Sequence, residues 1–354
     1  MNLTDLKFEA LQLLKDLIAI PSFSTEEDQT ADRIEKWLGK FQIPFERYGN
    51  NVVARNKFFN PAKPNILLNS HHDTVKPNGG YTKDPFTPEI SNGKLFGLGS
   101  NDAGGALVSL LATFVQYYPE ENLKYNLIIV ASAEEENSGS NGLNSVLSKL
   151  PEIDFAIVGE PTEMHLAISE KGLLVLDCVA YGHAGHAAHG LGDNAIYKAI
   201  EAIEWFRTFE FPKISETLGK MKMTVTQIDA GSQHNVIPAS CHFVVDVRVT
   251  DQYTNTEVLE IIKSQLSVEV NPRSLRLNSS SIPKTHPLVQ AGIKLGRKTY
   301  GSPTLSDQSV LNCQSLKLGP GDSHRSHTAD EYIYVHEVEE GIDIYINILK
   351  FVLF

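Results

Sequence analysis

Apolar residues recur at helical spacing over residues 4–18, where Leu6, Ala10, Leu13, Leu14 and Leu17 form one stripe. Asp5 or Thr4 is placed to cap this helix, and Pro21 follows its end. A second helix is predicted over residues 25–41. Residues 51–56 and 65–69 read as strands. Beyond them a glycine-rich loop leads into a helix at 103–117, and 126–133 is a continuous apolar strand. A helix near 141–149 and another apolar strand at 155–158 complete the series. Continuous apolar strands separated by helices call for an α/β sheet covered on both faces.

From about residue 167 to residue 282 the pattern changes. Residues 173–181 are strand-like, 194–209 helical, and 221–229 and 241–250 alternate polar with apolar, as antiparallel strands with one wet face do. Residues 254–266 are helical again. The β-α-β-β-α order describes an α+β insert. After Pro283 the chain returns to the first domain, closed by a helix at 335–352. The expected organisation is one domain of residues 1–166 and 283–354, interrupted by a second of residues 167–282.

A chain of 354 residues has room for two domains. Its composition, 42% hydrophobic and 21% charged, is that of an ordinary globular protein. The formal charge of −12, without a Lys/Arg cluster, argues against a nucleic-acid partner. The three cysteines, Cys178, Cys241 and Cys313, form no Cys-x-x-Cys pair, so they are expected as free thiols in a reducing cytosol. The opening Met1-Asn2-Leu3-Thr4-Asp5 lacks the pattern of a signal peptide, and no apolar run is long enough to span a membrane. A cytoplasmic location is expected.

The candidate chemistry lies at strand ends. Asn69-Ser70-His71-His72-Asp73 follows one apolar run, Glu134-Glu135-Glu136 a second, and Gly159-Glu160 a third. In open α/β sheets ligands bind beyond the carboxyl ends of the strands, so these clusters should converge. Several crowded carboxylates need a counter-charge, and few Lys or Arg flank them. Divalent cations supply it. The mixture of His and carboxylate favours zinc, or cobalt or manganese in its place. In His71-x-Asp73, alternate residues of an extended chain share a side, so one can bind metal while a carboxylate holds its other N–H. Asp102, within Gly97-Leu98-Gly99-Ser100-Asn101-Asp102-Ala103-Gly104-Gly105, reads either as a helix N-cap or as a carboxylate where two metals meet. A fifth cluster runs from Gly319 to Tyr332 and holds His324 and His327.

With these motifs the chain resembles the zinc aminoacylase and exopeptidase family that includes acetylornithine deacetylases, succinyl-diaminopimelate desuccinylases and glutamate carboxypeptidases. The resemblance covers the whole length. It rests on Ser70 to Val75, the loop around Asp102, Ala133 to Glu136, Gly159 to Thr162, Gly182 to Ala188, Asn235 to Pro238, and Gly319 to Tyr332. The wording of His71 to Pro77 and of Gly99 to Ala103 is closest to one bacterial branch of acetylornithine deacetylases. The resemblance implies a zinc-exopeptidase-like catalytic domain with a mixed, mostly parallel sheet. It also implies an inserted ferredoxin-like domain that dimerises and acts as a lid.

The same resemblance implies roles. His71 and Glu160 would bind one zinc, Glu136 and His327 the other, and Asp102 would bridge them. Asp73 would orient His71, and Glu135 would be the general base. A histidine of the insert, His186 by its place in Gly182-His183-Ala184-Gly185-His186-Ala187-Ala188, would stabilise the oxyanion, often from the partner subunit; His183 and His189 lie close by. Asn235 would line the same pocket. Arg248 reads equally as a grip on the substrate carboxylate and as an ion pair with Asp246. His72, His165, His234, His242, His286 and His336 read as structural or surface residues. Many family members carry Lys two residues after the bridging Asp, where this chain has Gly104. The implied activity is hydrolysis of the acyl amide of an amino acid, N-acetylornithine first, by a homodimer. Acetylcitrulline, succinylornithine, an acylated lysine, or a di- or tripeptide are the alternative substrates.

Overall fold

The computed structural model describes residues 2–354 and divides into two compact units. One comprises Met1–Ile168, Ser281–Tyr300 and Ser306–Phe354; the other comprises Ser169–Ser280 and Gly301–Leu305.

The first unit begins with helices α1 (Leu3–Ile18) and α2 (Asp28–Lys40). Asn2, rather than Thr4 or Asp5, caps α1: its side-chain oxygen accepts the Asp5 N–H at 2.8 Å. Helix α2 starts three residues later than its pattern predicts, because Thr25 sits at φ +79° and its N–H donates to Glu27 Oε1 in a tight turn. Strands β1 (Phe45–Tyr48), β2 (Asn51–Arg55) and β3 (Asn65–His71) follow, then the short β4 (Glu89–Ser91) and β5 (Lys94–Phe96). Helix α3 (Gly105–Tyr117), β6 (Asn126–Ser132), α4 (Leu143–Leu147), β7 (Phe155–Val158) and β8 (Leu166–Glu170) lead to the insert.

The insert holds β9 (Gly172–Tyr181), β10 (Gly185–His186), α5 (Ala195–Thr208), β11 (Lys222–Ala230), β12 (Val236–Ile237), β13 (Ser240–Val249), α6 (Asn255–Gln265) and β14 (Glu269–Pro272). Its antiparallel sheet has the order β11-β13-β9-β14, the ferredoxin-like arrangement. Alternation decides its faces: Leu174, Leu176, Cys178 and Ala180 of β9 point to the core shared with Ala199 and Phe206 of α5 and Val258 and Ile262 of α6. The Thr254 hydroxyl and the Glu257 carboxylate form a reciprocal capping box at the start of α6.

The remaining elements are β15 (Ser280–Ser281), α7 (Pro287–Lys294), β16 (Thr299–Ser302), β17 (Gln314–Lys317), β18 (Tyr332–Tyr334) and α8 (Val335–Leu353). The large sheet has the order β1-β2-β6-β3-β7-β17-β8-β15, with β16 beside β8. The four central strands β6, β3, β7 and β17 are parallel, and the flanking pairs β1–β2, β2–β6 and β17–β8 antiparallel. Both faces are covered, which is why these strands read as unbroken apolar runs. Ile66 and Leu68 of β3 and Leu127 and Ile129 of β6 face a core built with α1, α3 and α8. Leu67, Ile128 and Val130 face a second core completed by Leu143 and Val146 of α4. The register aligns Asn69 with Val130 and Val158, and His71 with Ser132. A one-residue slip would turn every one of these side chains to the other face, so packing in the two cores fixes what stands at the strand ends.

Candidate metal centre

Parallel pairing brings the carboxyl ends of the four central strands to one edge, and the candidate residues follow them. His71 is the last residue of β3. Glu134 to Glu136 follow β6, Glu160 follows β7, and the segment carrying His327 follows β17. Asp102 comes from the turn before α3.

The contacts of His71 settle its tautomer. Nδ1 lies 3.0 Å from the Asp73 carbonyl oxygen and 3.3 Å from Asp73 Oδ1. A carbonyl only accepts, so the proton sits on Nδ1. Nε2 is buried without a hydrogen-bond partner and faces Asp102 Oδ1 at 3.5 Å, Glu160 Oε1 at 3.8 Å and Glu135 Oε2 at 3.9 Å. A basic nitrogen aimed at several carboxylates is a donor set that a divalent cation satisfies. Ligand atoms of His71, Asp102 and Glu136 all lie within 4.8 Å of one another, as do those of His71, Glu135 and Glu160. His327 Nε2 lies 2.9 Å from Glu136 Oε2 and 3.6 Å from Asp102 Oδ2. Asp102 thus turns one oxygen to His71 and the other to His327. His324, by contrast, is exposed and hydrogen-bonded to Asp322.

The N-cap alternative for Asp102 does not occur. Helix α3 begins three residues later at Gly105, with no side-chain cap, and Asp102 lies in a non-helical turn at φ −117°, ψ 99° whose bond to Ala103 is cis. Glu331 Oε1 accepts the N–H groups of Asn101 at 2.8 Å and Asp102 at 3.0 Å.

Asp73 does more than face His71. Its carboxylate accepts the N–H of Glu135 and of Glu136, each at 3.1 Å, and the Ser24 hydroxyl at 2.7 Å. One side chain therefore sets both the imidazole and the backbone that presents Glu135 and Glu136. Glu134 turns away, at φ +53°, to bind the backbone and side chain of Asn141.

Crowding shows in the electrostatics. Burial pushes Glu135 well above the ordinary carboxyl range and Glu160 to about 8; neighbouring carboxylates add to the rise, while His71 opposes it. Glu136 is raised by burial too. The hydrogen bond to Glu136 lifts His327 to about 9. His71 is pushed well above 6.5: burial opposes protonation, but Asp102 and Asp73 outweigh it. Crowded carboxylates that hold protons this tightly leave a charge that divalent cations would balance.

Two acids here had no role read from the sequence: Glu331, within the Gly319–Tyr332 cluster, and Asp307. Glu331 is buried and raised to about 8, by burial first and by Asp102 next. Asp307 is buried below Ser132, whose hydroxyl donates to it at 2.6 Å, and burial lifts it to about 6. Neither stands at the end of an apolar run; only the fold brings them in. His72 is buried between Thr30 and the Asn50 carbonyl oxygen, and burial lowers it to about 4. A Cβ at Gly104 would lie 2.5 Å from the Gly99 carbonyl oxygen and 2.7 Å from Leu14, so this backbone has no room for a lysine there.

In the insert, His186 is exposed and pairs in register with Val236, and the Ala187 N–H donates to the Asn235 carbonyl oxygen at 2.9 Å. His186 and Asn235 are thereby neighbours. One edge of the Arg248 guanidinium, Nε and Nη2, donates to the Asp246 carboxylate at 2.8 and 3.1 Å. Cys178 and Cys241 are buried free thiols, and Cys313 is half-buried. No helix of the described residues is long and apolar enough to cross a membrane.

The sequence model of peptidase family M20/M25/M40 matches residues 67–350. The succinyl-diaminopimelate desuccinylase of Wolbachia pipientis subsp. Culex pipiens is 27% identical, over 98% of this chain and 94% of its own length. The acetylornithine deacetylase of Shigella sonnei is also 27% identical, over 96% of each chain. Among solved structures, the YXEP protein of Bacillus subtilis, described as a dinuclear metal-binding peptidase of the M20 family, superposes with a TM-score of 0.73. It shares 15% identity over 99% of both chains.

Proposed function

The chain belongs to peptidase family M20/M25/M40, a family of metal-dependent hydrolases, and from that footing we propose that it removes the acyl group from an N-acylated amino acid. The observation that carries this reading is the strand-end cluster of His71, Asp102, Glu135, Glu136, Glu160 and His327 around one unpartnered imidazole nitrogen. His71 and Glu160 would hold one divalent ion, Glu136 and His327 the other, with Asp102 shared; zinc is the first candidate and cobalt the second. When bound, such ions activate water and polarise the scissile carbonyl. Glu135 is the proton carrier: it takes a proton from the attacking water and returns it to the leaving amine. Burial raises its affinity for a proton. Asp73 keeps the His71 proton on Nδ1 and holds Glu135 in place through the backbone.

His186 is proposed as a donor to the oxyanion and Asn235 as its neighbour in substrate binding. Arg248, paired with Asp246 through Nε and Nη2, would grip a substrate carboxylate through its remaining N–H groups. A homodimer built through the insert belongs to the same proposal, and light scattering tests it.

N-acetylornithine is the first candidate substrate, by the wording of the motifs around His71 and Asp102. A succinylated amino acid is the second, favoured by the desuccinylase that matches at equal identity over slightly more of this chain. The test is amine release from N-acetylornithine, N-succinyl-diaminopimelate and a dipeptide by cobalt-loaded protein beside a chelator-treated sample. Release from either acylated substrate, abolished by chelator, supports the proposal. Release from the dipeptide alone overturns it in favour of a peptidase.

A further inference from the structure

The two halves of the cluster are built differently. His71 and Glu160 sit on or next to central strands whose side chains fill two cores. Asp102 and His327 sit on turns. His327 is about half exposed, at φ +59°, with its carbonyl oxygen accepting from Asn78 at 3.2 Å. Something must register these two turns against each other if Asp102 is to serve both halves.

Asn101 does so. Its side chain is fully buried, and its carboxamide pairs both ways with the peptide at Asp322: Nδ2 donates to the Asp322 carbonyl oxygen at 3.0 Å, and Oδ1 accepts the Asp322 N–H at 3.1 Å. Gly321, at φ +90°, permits this approach, since a Cβ there would lie 2.4 Å from Asn101 Oδ1. Nδ2 also donates to Ser326 Oγ at 3.3 Å, and Ser326 lies close enough to the Asp102 carboxylate to favour its charged form. From the other side Glu331 holds the N–H groups of Asn101 and Asp102. Asn101 thus joins the turn that carries Asp102 to Asp322 and to Ser326, and Ser326 is the residue before His327.

We infer that Asn101 and Ser326 are positioning residues that register the Asp102 turn against the His327 turn, so that the half of the centre formed by Glu136, His327 and Asp102 depends on them while the His71–Glu160 half does not. Neither touches substrate or offers a ligand atom. The inference rests on the metal-centre reading above.

The test is calorimetric titration of the metal-free protein with Co²⁺ alone, with the visible absorption of the bound cobalt recorded in parallel. Wild type is compared with Asn101→Asp, which sets a carboxylate against the Asp322 carbonyl, and with the milder Ser326→Ala. Wild type is expected to take up two equivalents. In both variants the second should bind at least tenfold more weakly, with the first changed less than threefold and its spectrum unaltered. Ser326→Ala should keep the melting temperature of metal-free wild type. Two unchanged equivalents in Ser326→Ala, or equal weakening of both, overturns the inference while leaving the metal centre standing. Fewer than two equivalents in wild type overturns the metal-centre reading itself, and the inference with it.

Discussion

Replacing Asp73 by Asn tests how one buried carboxylate serves two parts of the centre. Asp73 lies 3.3 Å from His71 Nδ1 and accepts three hydrogen bonds, from Ser24, Glu135 and Glu136. Asn is nearly isosteric, but it retains one acceptor oxygen and turns an NH₂ toward groups that are themselves donors. Hydrogen bonds to a charged group contribute about 1.5–3 kcal/mol each. Loss of a carboxylate behind a metal-binding histidine typically costs about 10- to 100-fold in metal affinity. At about 1.4 kcal/mol per tenfold, that range is equivalent to one such bond. The expectation is a fall in Co²⁺ affinity of that size by calorimetry. A separate fall in kcat should persist at saturating metal, because the Glu135 backbone has also lost its anchor. Ser24→Ala, which removes one of the three hydrogen bonds and leaves the carboxylate and both backbone bonds in place, should lower both less than Asp73→Asn does. Asp73→Asn with cobalt affinity within twofold of wild type and unchanged kcat would refute the reasoning.

Glu135→Gln should lower kcat by about 10²- to 10⁴-fold while two metal equivalents still bind; near-normal turnover removes Glu135 as proton carrier. Treatment with chelator should abolish hydrolysis, and added Zn²⁺ or Co²⁺ should restore it, measured as amine release. His72 is held near a pKa of about 4 by burial against an ordinary 6.5, so the unfolded chain binds its proton first as pH falls. Its contribution is present above pH 6.5 and is lost toward pH 4, about 3 kcal/mol in all. The slope of stability against pH over that window should flatten in His72→Gln. Gly104→Ala should lower the melting temperature, because its Cβ would meet the Gly99 carbonyl; overpacking of this kind costs about 1–3 kcal/mol.

The fold was legible where one signal dominated. Unbroken apolar runs at 126–133 and 155–158 could only be strands covered on both faces, and both are. The acids and histidine directly after such runs had to meet at one edge once the strands were parallel. Other features depend on contacts distant in sequence. The short β17 carries only Gln314 to Lys317 and gains its identity from pairing with β7. Glu331 looks like any acid in a polar loop until the chain folds its carboxylate under the N–H groups of Asn101 and Asp102, some 230 residues away. Asp73 was legible as a partner of His71 through the two-residue spacing. Its hold on Glu135 and Glu136 was not, since those bonds join loops that sequence separates by more than 60 residues.

Gly104 bears on the charge balance of the centre. In the family that the sequence resembles, a lysine often stands at this position, two residues after the aspartate that matches Asp102. Here the backbone closes over the place its side chain would leave from: the Gly104 N–H donates to the Gly99 carbonyl oxygen at 2.9 Å, and a Cβ would strike that same oxygen. The fixed positive charge must therefore come from elsewhere. Buried Lys317, across from Val158 at the end of β7, lowers the pKa of Glu160, against the larger rise from burial. His71 and His327 can offset carboxylates only as protonated rings, and a protonated ring cannot bind metal. In the proposed centre the charge of Asp102, Glu135, Glu136 and Glu160 would be balanced chiefly by the ions themselves. Metal removal should accordingly be accompanied by proton uptake at neutral pH, measurable as the buffer dependence of the Co²⁺ binding enthalpy. A binding enthalpy independent of the buffer would mean that these groups hold no extra protons without metal, against the charge balance argued from their burial.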